Sequence, residues 1–339
     1  MRKLVGFIGV GLLFVSAGVK TQQGVDPAQL ATPPAKEPGW AFPVQQVTLP
    51  NLDPAGPRSL PGSTKKYTQE EIDNLVAPPD WFPNDHPAAP SIVTKGHGGA
   101  LACGSCHLMS GIGHPESGDV SGLQVAYFMQ QMQDFKSGAR KDYARMNGIA
   151  KELSDDEMMQ AAEYFSQMKP QKNNTVEEKD PAPKTVIAQG RMRFVDPKGG
   201  TEPVGNRILT VPVDVNTARE RDPKTKFVSY VAPGMLAKGK QLVEMGDRTR
   251  QIVACGTCHG KDMTGNTLKG PAGSPGTTVP RIAGVHPMYL ARELVIFKDG
   301  TRAGANAKLM APTVKNMTDE DIVAIAAYLA SLDPAAATK

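Results

Sequence analysis

The four cysteines of this 339-residue chain fall in two pairs of identical spacing, Cys103-Gly-Ser-Cys106 and Cys255-Gly-Thr-Cys258, and a histidine follows each pair directly, His107 and His259. Two thiols three residues apart on a turn of helix can each add to one vinyl group of the same porphyrin. The next imidazole then points at its iron, and this spacing is the attachment signature for c-type haem. Other chemistries compete for paired cysteines. Zinc ribbons set their pairs about 15 to 20 residues apart, whereas 148 residues separate these two. Thioredoxin-like redox pairs want a preceding strand and do not need the histidine. Structural disulfides would not place two cysteines three apart twice with none left over. The spacing therefore predicts two covalently bound haem c groups: one on Cys103, Cys106 and His107, the other on Cys255, Cys258 and His259.

The distal ligand is found by laying the chain on itself. At a shift of 162 residues Tyr127 falls on Tyr289, Phe135 on Phe297, Lys136 on Lys298, Gly138 on Gly300 and Arg140 on Arg302. Two residues later in register, Met146 falls on Met310, Ser154 on Thr318, Asp155 on Asp319, Tyr164 on Tyr328 and Pro170 on Pro334. The ordinary reading of any of the 15 methionines is packing. Met146 and Met310, however, are the ones that coincide in the two repeats, and a thioether in the distal position raises the reduction potential and suits electron transfer. They are read as the iron ligands opposite His107 and His259. Met317 aligns with Leu153 and reads as a hydrophobic staple before the cap of the last helix. His86, His97, His114 and His286 have no partners at equivalent positions and read as loop or surface residues. The Pro280 carbonyl is placed to accept the His259 Nδ1 proton; Gly118 aligns with it in the first repeat, with Pro115 nearby. Tyr127 and Tyr289 read either as haem-edge or propionate contacts or as core packing.

These side chains need helices to hold them. Tyr127, Phe128, Met132 and Phe135 space out as one helical face, as do Tyr289, Leu290, Leu294 and Phe297. A last helix opens at Ser154 with Glu157, and again at Thr318 with Asp321. The cysteine pairs align at a shift of 152, so the second repeat carries a longer loop. Ala237 to Glu244 reads as the first helix of the second repeat. Between the repeats, Lys184 to Val195, Ile208 to Val215 and Lys226 to Val231 are rich in β-branched residues and read as a small β insertion.

The N-terminus reads as an export leader: Met1, Arg2 and Lys3 precede an apolar stretch from Leu4 to Val19, with Ser16 and Gly18 near its end. Cleavage after Gly18 or retention as an anchor both fit it. Residues 20–90 hold 14 prolines, too many for regular structure. One short helix is expected there, from a Thr68/Glu71 capping box to Pro78-Pro79. Trp40, Phe42, Trp81 and Phe82 argue that at least its second half wraps on the first repeat. The 34 glycines and 29 prolines, with only 6% aromatic residues, leave little ordinary core, and two haems would supply the missing apolar bulk. The formal charge of +4 comes with no basic run interleaved with aromatics, so nucleic acid is a poor partner.

Taken together, C-x-x-C-H, then Y-x7-F-K-x-G-x-R, then Met followed eight residues on by an acidic-capped helix ending at proline, twice over, resembles the tandem dihaem class I cytochromes c. The resemblance covers about half the chain. It implies a mainly α fold: two class I cytochrome c domains, at 91–170 and 233–333. They are flanked by a leader (1–18) and a Pro-rich extension (19–90) and joined by a linker with a β insertion (171–232). It also implies His/Met ligation and single-electron shuttling in a bacterial periplasm. Redox partners would be a dehydrogenase, an oxidase or another cytochrome, with membrane association through the N-terminus if the leader stays. The alternatives are a dihaem enzyme, peroxidase-like or a sulfur-compound oxidase, and a cytochrome subunit of a dehydrogenase or oxidase complex.

Overall fold

The computed structural model describes residues 38–49, 56–142, 144–270, 272 and 276–335. The leader and the start of the Pro-rich stretch lie outside them. Among the described residues no helix is long and apolar enough to cross a membrane.

In the extension, α1 (Gln69–Asp73) opens on the expected Thr68/Glu71 capping box. Then come α2 (Ser91–Thr94), the cysteine turn α3 (Gly104–His107), α4 (Val125–Ser137), α5 (Met146–Glu152) and α6 (Asp155–Ser166). Phe128, Met132 and Phe135 of α4 pack on Met158, Ala162 and Phe165 of α6 in one apolar core. The second repeat runs through α8 (Met235–Met245), the cysteine turn α9 (Gly256–His259), α10 (Pro287–Lys298), α11 (Ala307–Val314) and α12 (Asp319–Ser331), around a second core.

The same local devices build both repeats. Ser154 with Glu157 and Thr318 with Asp321 close reciprocal capping boxes at the starts of α6 and α12. The Lys136 ammonium donates to the Leu153 carbonyl at 2.8 Å, and Lys298 to the Met317 carbonyl at 2.7 Å, tying the end of one helix to the cap of the next. Leu153 and Met317 are both buried at the residue before the cap, where an apolar side chain fixes the chain's entry angle. The Gly122 and Gly284 amides donate to the Phe165 and Leu329 carbonyls, both at 2.9 Å. Both glycines have positive φ, and a Cβ on Gly284 would lie 2.6 Å from the Pro334 ring, so the final proline packs where only glycine leaves room.

The insertion carries β1 (Asn174–Glu178), β2 (Ala182–Pro183), β3 (Thr185–Ile187), β4 (Arg193–Val195), β5 (Thr201–Glu202), β6 (Leu209–Pro212), the short helix α7 (Val215–Arg219) and β7 (Phe227–Val231). β7 is the centre of a three-stranded sheet, parallel to β1 and antiparallel to β6, while β3 pairs with β4 and β2 with β5. The polar strand β1, Asn-Thr-Val-Glu-Glu, has no hydrophobic alternation to mark it in sequence; its ladder with β7 makes it a strand. The longer loop of the second repeat is a hairpin, β8 (Asn266–Leu268) with β9 (Thr277–Val279).

The extension does more than wrap the first repeat. Ala41 and Phe42 are buried in the core of the second repeat, and Trp40 packs against it. Leu49 joins Ala188, Phe194 and Ala218 of the insertion. Trp81 and Phe82 close a core of their own with Leu60 and Ile72, while Val76 and Leu75 accept backbone bonds from Gly96 and Ala102 of the first repeat.

Candidate haem sites and the surface between them

Each cysteine turn is a single helical turn whose last residue is the histidine. His107 Nδ1 lies 2.7 Å from the Gly118 carbonyl, and His259 Nδ1 lies 2.8 Å from the Pro280 carbonyl, at aligned positions of the two repeats. A carbonyl only accepts, so Nδ1 carries the proton and Nε2 keeps its lone pair. Burial pushes both imidazoles below their ordinary range, against the backbone bond, which favours the proton; both rings stay neutral and able to ligate. Burial also pushes the Cys103 and Cys255 thiols up to about 12, so each is an uncharged thiol before any thioether forms.

In the first repeat Cys103, Cys106, His107 and Met146 line one cavity of about 1230 Å³ with Phe128, Met132, Ile149 and Phe165. Met146 begins α5, and its backbone is set by Asp142, whose carboxylate accepts from the amides of Ala144, Arg145 and Met146. Met310 lies within α11, half-buried against the second core. Two thiols, a neutral imidazole with its lone pair free and a thioether around one apolar cavity are the donor set and the space that a covalently held haem needs. The fit is good.

Between the repeats lies a buried polar cluster with approximate twofold symmetry. Arg140 donates to Tyr289 Oη at 3.1 Å, to Glu293 at 2.6 Å and to Gln131 at 2.9 Å. Arg302 donates in mirror fashion to Tyr127 Oη at 2.8 Å, to Gln131 at 2.6 Å and to Glu293. Each guanidinium also stacks 4.3 Å above a phenylalanine ring of its own repeat, Phe135 or Phe297. Tyr127 and Tyr289 thus bond the arginine of the opposite repeat. Burial raises the Tyr289 hydroxyl to about 12, with the Glu293 charge adding to it. Burial would also raise Glu293, but the two guanidiniums outweigh it and hold the carboxyl below its ordinary range. Glu293 aligns with Gln131, so two buried cations share one anion. The net positive charge borders the first cavity, which Tyr127, Gln131, Arg140, Tyr289 and Glu293 help to line. Such a charge suits the propionates of a haem. Two more arginine pairs cross between the repeats, Arg281 to Asp119 at 2.7 Å and Arg292 to Glu116.

The repeat aligns Arg140 with Arg302 in sequence but does not by itself bring them to one carboxylate. The one carboxylate between two matched arginines was the available signal. The surface reading of three histidines is corrected, His86 among them, its side chain only 8% exposed. His286 is 2% exposed and packs edge-on to Phe227 at 5.0 Å, and His114 lines the first cavity. Burial lowers both to about 3. His97 bonds Glu157 at 2.6 Å on the surface, and His86 bonds Asp80 at 3.1 Å.

The Cytochrome c family profile matches residues 236–333. Over 81 residues the chain is 37% identical to cytochrome c-554(548) of Halomonas halodenitrificans (strain ATCC 12084 / NCIMB 8669), covering 24% of this chain and 87% of that one. The chain belongs to the c-type cytochromes. Matches that span both repeats extend the kinship. The thiosulfate dehydrogenase electron acceptor of Thiomonas intermedia (strain K12) is 27% identical over 254 residues, 74% of this cytochrome and 88% of the relative. Cytochrome c4 of Pseudomonas aeruginosa is 23% identical over 242 residues, 71% and 88% respectively. This cytochrome is a dihaem electron carrier that binds two haem c groups covalently.

Proposed function

We propose that this cytochrome is an exported carrier whose repeats, 91–170 and 233–333, are one class I haem module each. Its irons are held by His107 with Met146 and by His259 with Met310. The observation that carries the reading is that His107, with Nδ1 held on a carbonyl, shares a cavity with Cys103, Cys106 and Met146. Each haem, when bound, takes up and gives up a single electron at its iron.

The chain's own residues set the terms of that exchange. The Gly118 and Pro280 carbonyls fix the imidazole tautomer and increase its donor strength. The thioethers of Met146 and Met310 are soft donors, and favour the reduced iron. Phe128, Phe165 and their neighbours exclude water, and the Arg140/Arg302 pair offers positive charge to carboxylates at the cavity's inner side. The electron source fits a dehydrogenase, the partner class in the names of the Thiomonas intermedia relative and of a 28% identical one from Stutzerimonas stutzeri (strain A1501).

The test is the visible spectrum and the midpoint potentials of the oxidised holoprotein. A weak far-red sulfur-to-iron band is expected, as are negligible carbon monoxide binding and, in Met146→Ala or Met310→Ala, retained haem with one lowered potential. If Met310→Ala changes neither spectrum nor potential, Met317 or His286 replaces it as the candidate. Rapid carbon monoxide binding by the wild type would favour an enzyme instead.

A further inference from the structure

The repeats place equivalent residues around their cysteine turns, and the inserted segments treat the two turns differently. In the first repeat Leu101, Ser105 and Arg145 line the cavity beside the cysteines. Arg221, on the turn after α7, donates from its guanidinium to the Ser105 carbonyl, inside the Cys-Gly-Ser-Cys-His motif. Its φ of 58° is in the left-handed region, which an arginine occupies where its surroundings hold it there. The holding groups come from the Pro-rich extension. The Trp81 indole N–H donates to the Glu220 carbonyl at 2.7 Å, and the Lys224 ammonium lies 3.5 Å above the Phe82 ring and 3.2 Å from Asp85. Extension and insertion together form a clasp over the first cysteine turn, and Ser105 is 2% exposed.

The residues of the second repeat that align with Leu101, Ser105 and Arg145 are Val253, Thr257 and Leu309. All three are exposed, Val253 at 46% and Leu309 at 53%. Lys261, Lys308 and Lys315, close by in sequence, are exposed too and have no ion-pair partner among the described residues. Ala144 stands in the first repeat where Lys308 stands in the second. Arg221 thus covers the first cysteine turn at Ser105, while Thr257, the equivalent residue of the second, is exposed beside exposed Val253 and Leu309.

We propose that protein partners dock on the second repeat alone, over Val253, Thr257 and Leu309, and that the Trp81–Arg221 clasp closes the first repeat to them. The partner is a redox protein with an apolar contact flanked by carboxylates, because exposed Lys261, Lys308 and Lys315 flank the apolar residues in sequence. An apolar centre supplies close contact, and the complementary rim supplies a fast, salt-sensitive encounter. The first haem then exchanges electrons with proteins by way of the second. This proposal rests on the carrier reading above.

The test uses the full-length holoprotein with an acidic cupredoxin as probe, followed by stopped flow at low and high salt. Lys308→Glu and Leu309→Glu are each expected to lower the second-order rate constant by about tenfold or more, and to flatten its salt dependence. Lys141→Glu, a charge reversal of the same size at an exposed residue beside the first cavity, is expected to alter it by less than about twofold. Backbone hydrogen exchange in the complex should show protection at 253–262 and 306–312 and none at 101–107 or 141–147. Equal slowing by Lys141→Glu, no slowing by either second-repeat variant, or protection at the first repeat overturns the proposal. A wild type whose haems cannot be cycled even by a small-molecule reductant overturns the carrier reading itself; normal cycling with unslowed variants overturns only the docking surface.

Discussion

Removing the charge of Glu293 while keeping its shape, by Glu293→Gln, perturbs the contact between the repeats at its most concentrated point. The side chains of Arg140, Arg302 and Glu293 are only 6%, 8% and 12% exposed. Gln131, the other shared acceptor, is neutral, so the variant leaves two buried guanidiniums with no anion. Breaking a buried pair by removing one partner costs about 3–5 kcal/mol. A chain of this size should then melt on the order of 10 °C lower in calorimetry of the holoprotein, with the first-repeat midpoint potential moving upward. The pH dependence has a definite sign. The folded carboxyl is held below its unfolded value, so its stabilisation is present above about pH 4.3 and fades as the pH falls through the folded value. Wild type and variant should therefore converge in acid. Replacing Arg302 by Met in the same background should recover part of the loss, through a coupling of about 1–3 kcal/mol. A loss below about 1 kcal/mol at neutral pH, or a gap that persists unchanged in acid, would refute the reasoning.

Asp321 offers a second pH test. Burial works against its charge, but the Thr318 amide, Arg250 and Lys238 outweigh it and hold the carboxyl at about 2. Asp321→Asn should lose roughly 2–3 kcal/mol above pH 5, and urea titrations of the two proteins should coincide near pH 2. At the crossing of α8 and α12, a Cβ on Gly239 would lie 2.0 Å from the Ala324 carbonyl oxygen. Gly239→Ala should thus destabilise by about 1–3 kcal/mol or more despite its gain in helix propensity, and an unchanged melting temperature would contradict this packing.

Much of the local structure was written in the sequence because it depends on neighbours only a few residues apart. The capping boxes at Thr68, Ser154 and Thr318, the helical faces of α4 and α10 and the cysteine turns all follow from short-range spacing. The internal repeat went further, because two independent copies of a pattern separate a constrained position from a chance one. It singled out Met146 and Met310, and it aligned Gly118 with Pro280, whose carbonyls meet the two histidines. Strand β1 and the hairpin of β8 and β9 escaped, since neither carries the alternation that marks a strand in isolation and both exist through their partners. His286 escaped because a lone histidine carries no sign of burial when the Phe227 ring that covers it lies 59 residues away in sequence.

The sequence by itself therefore determined which residues recur as matched sets: two thiols, an imidazole and a thioether in each repeat. Only the tertiary structure decided how the two sites differ. Arg140 and Arg302 look alike in sequence, yet they share a single carboxylate across the contact between repeats. Trp81 and Arg221, 140 residues apart, close over Ser105 of one cysteine turn, whereas Thr257 of its twin is exposed. Spacing encodes what a residue can reach along its own helix. What covers it is set by segments far away in the chain, whose arrival no local pattern records.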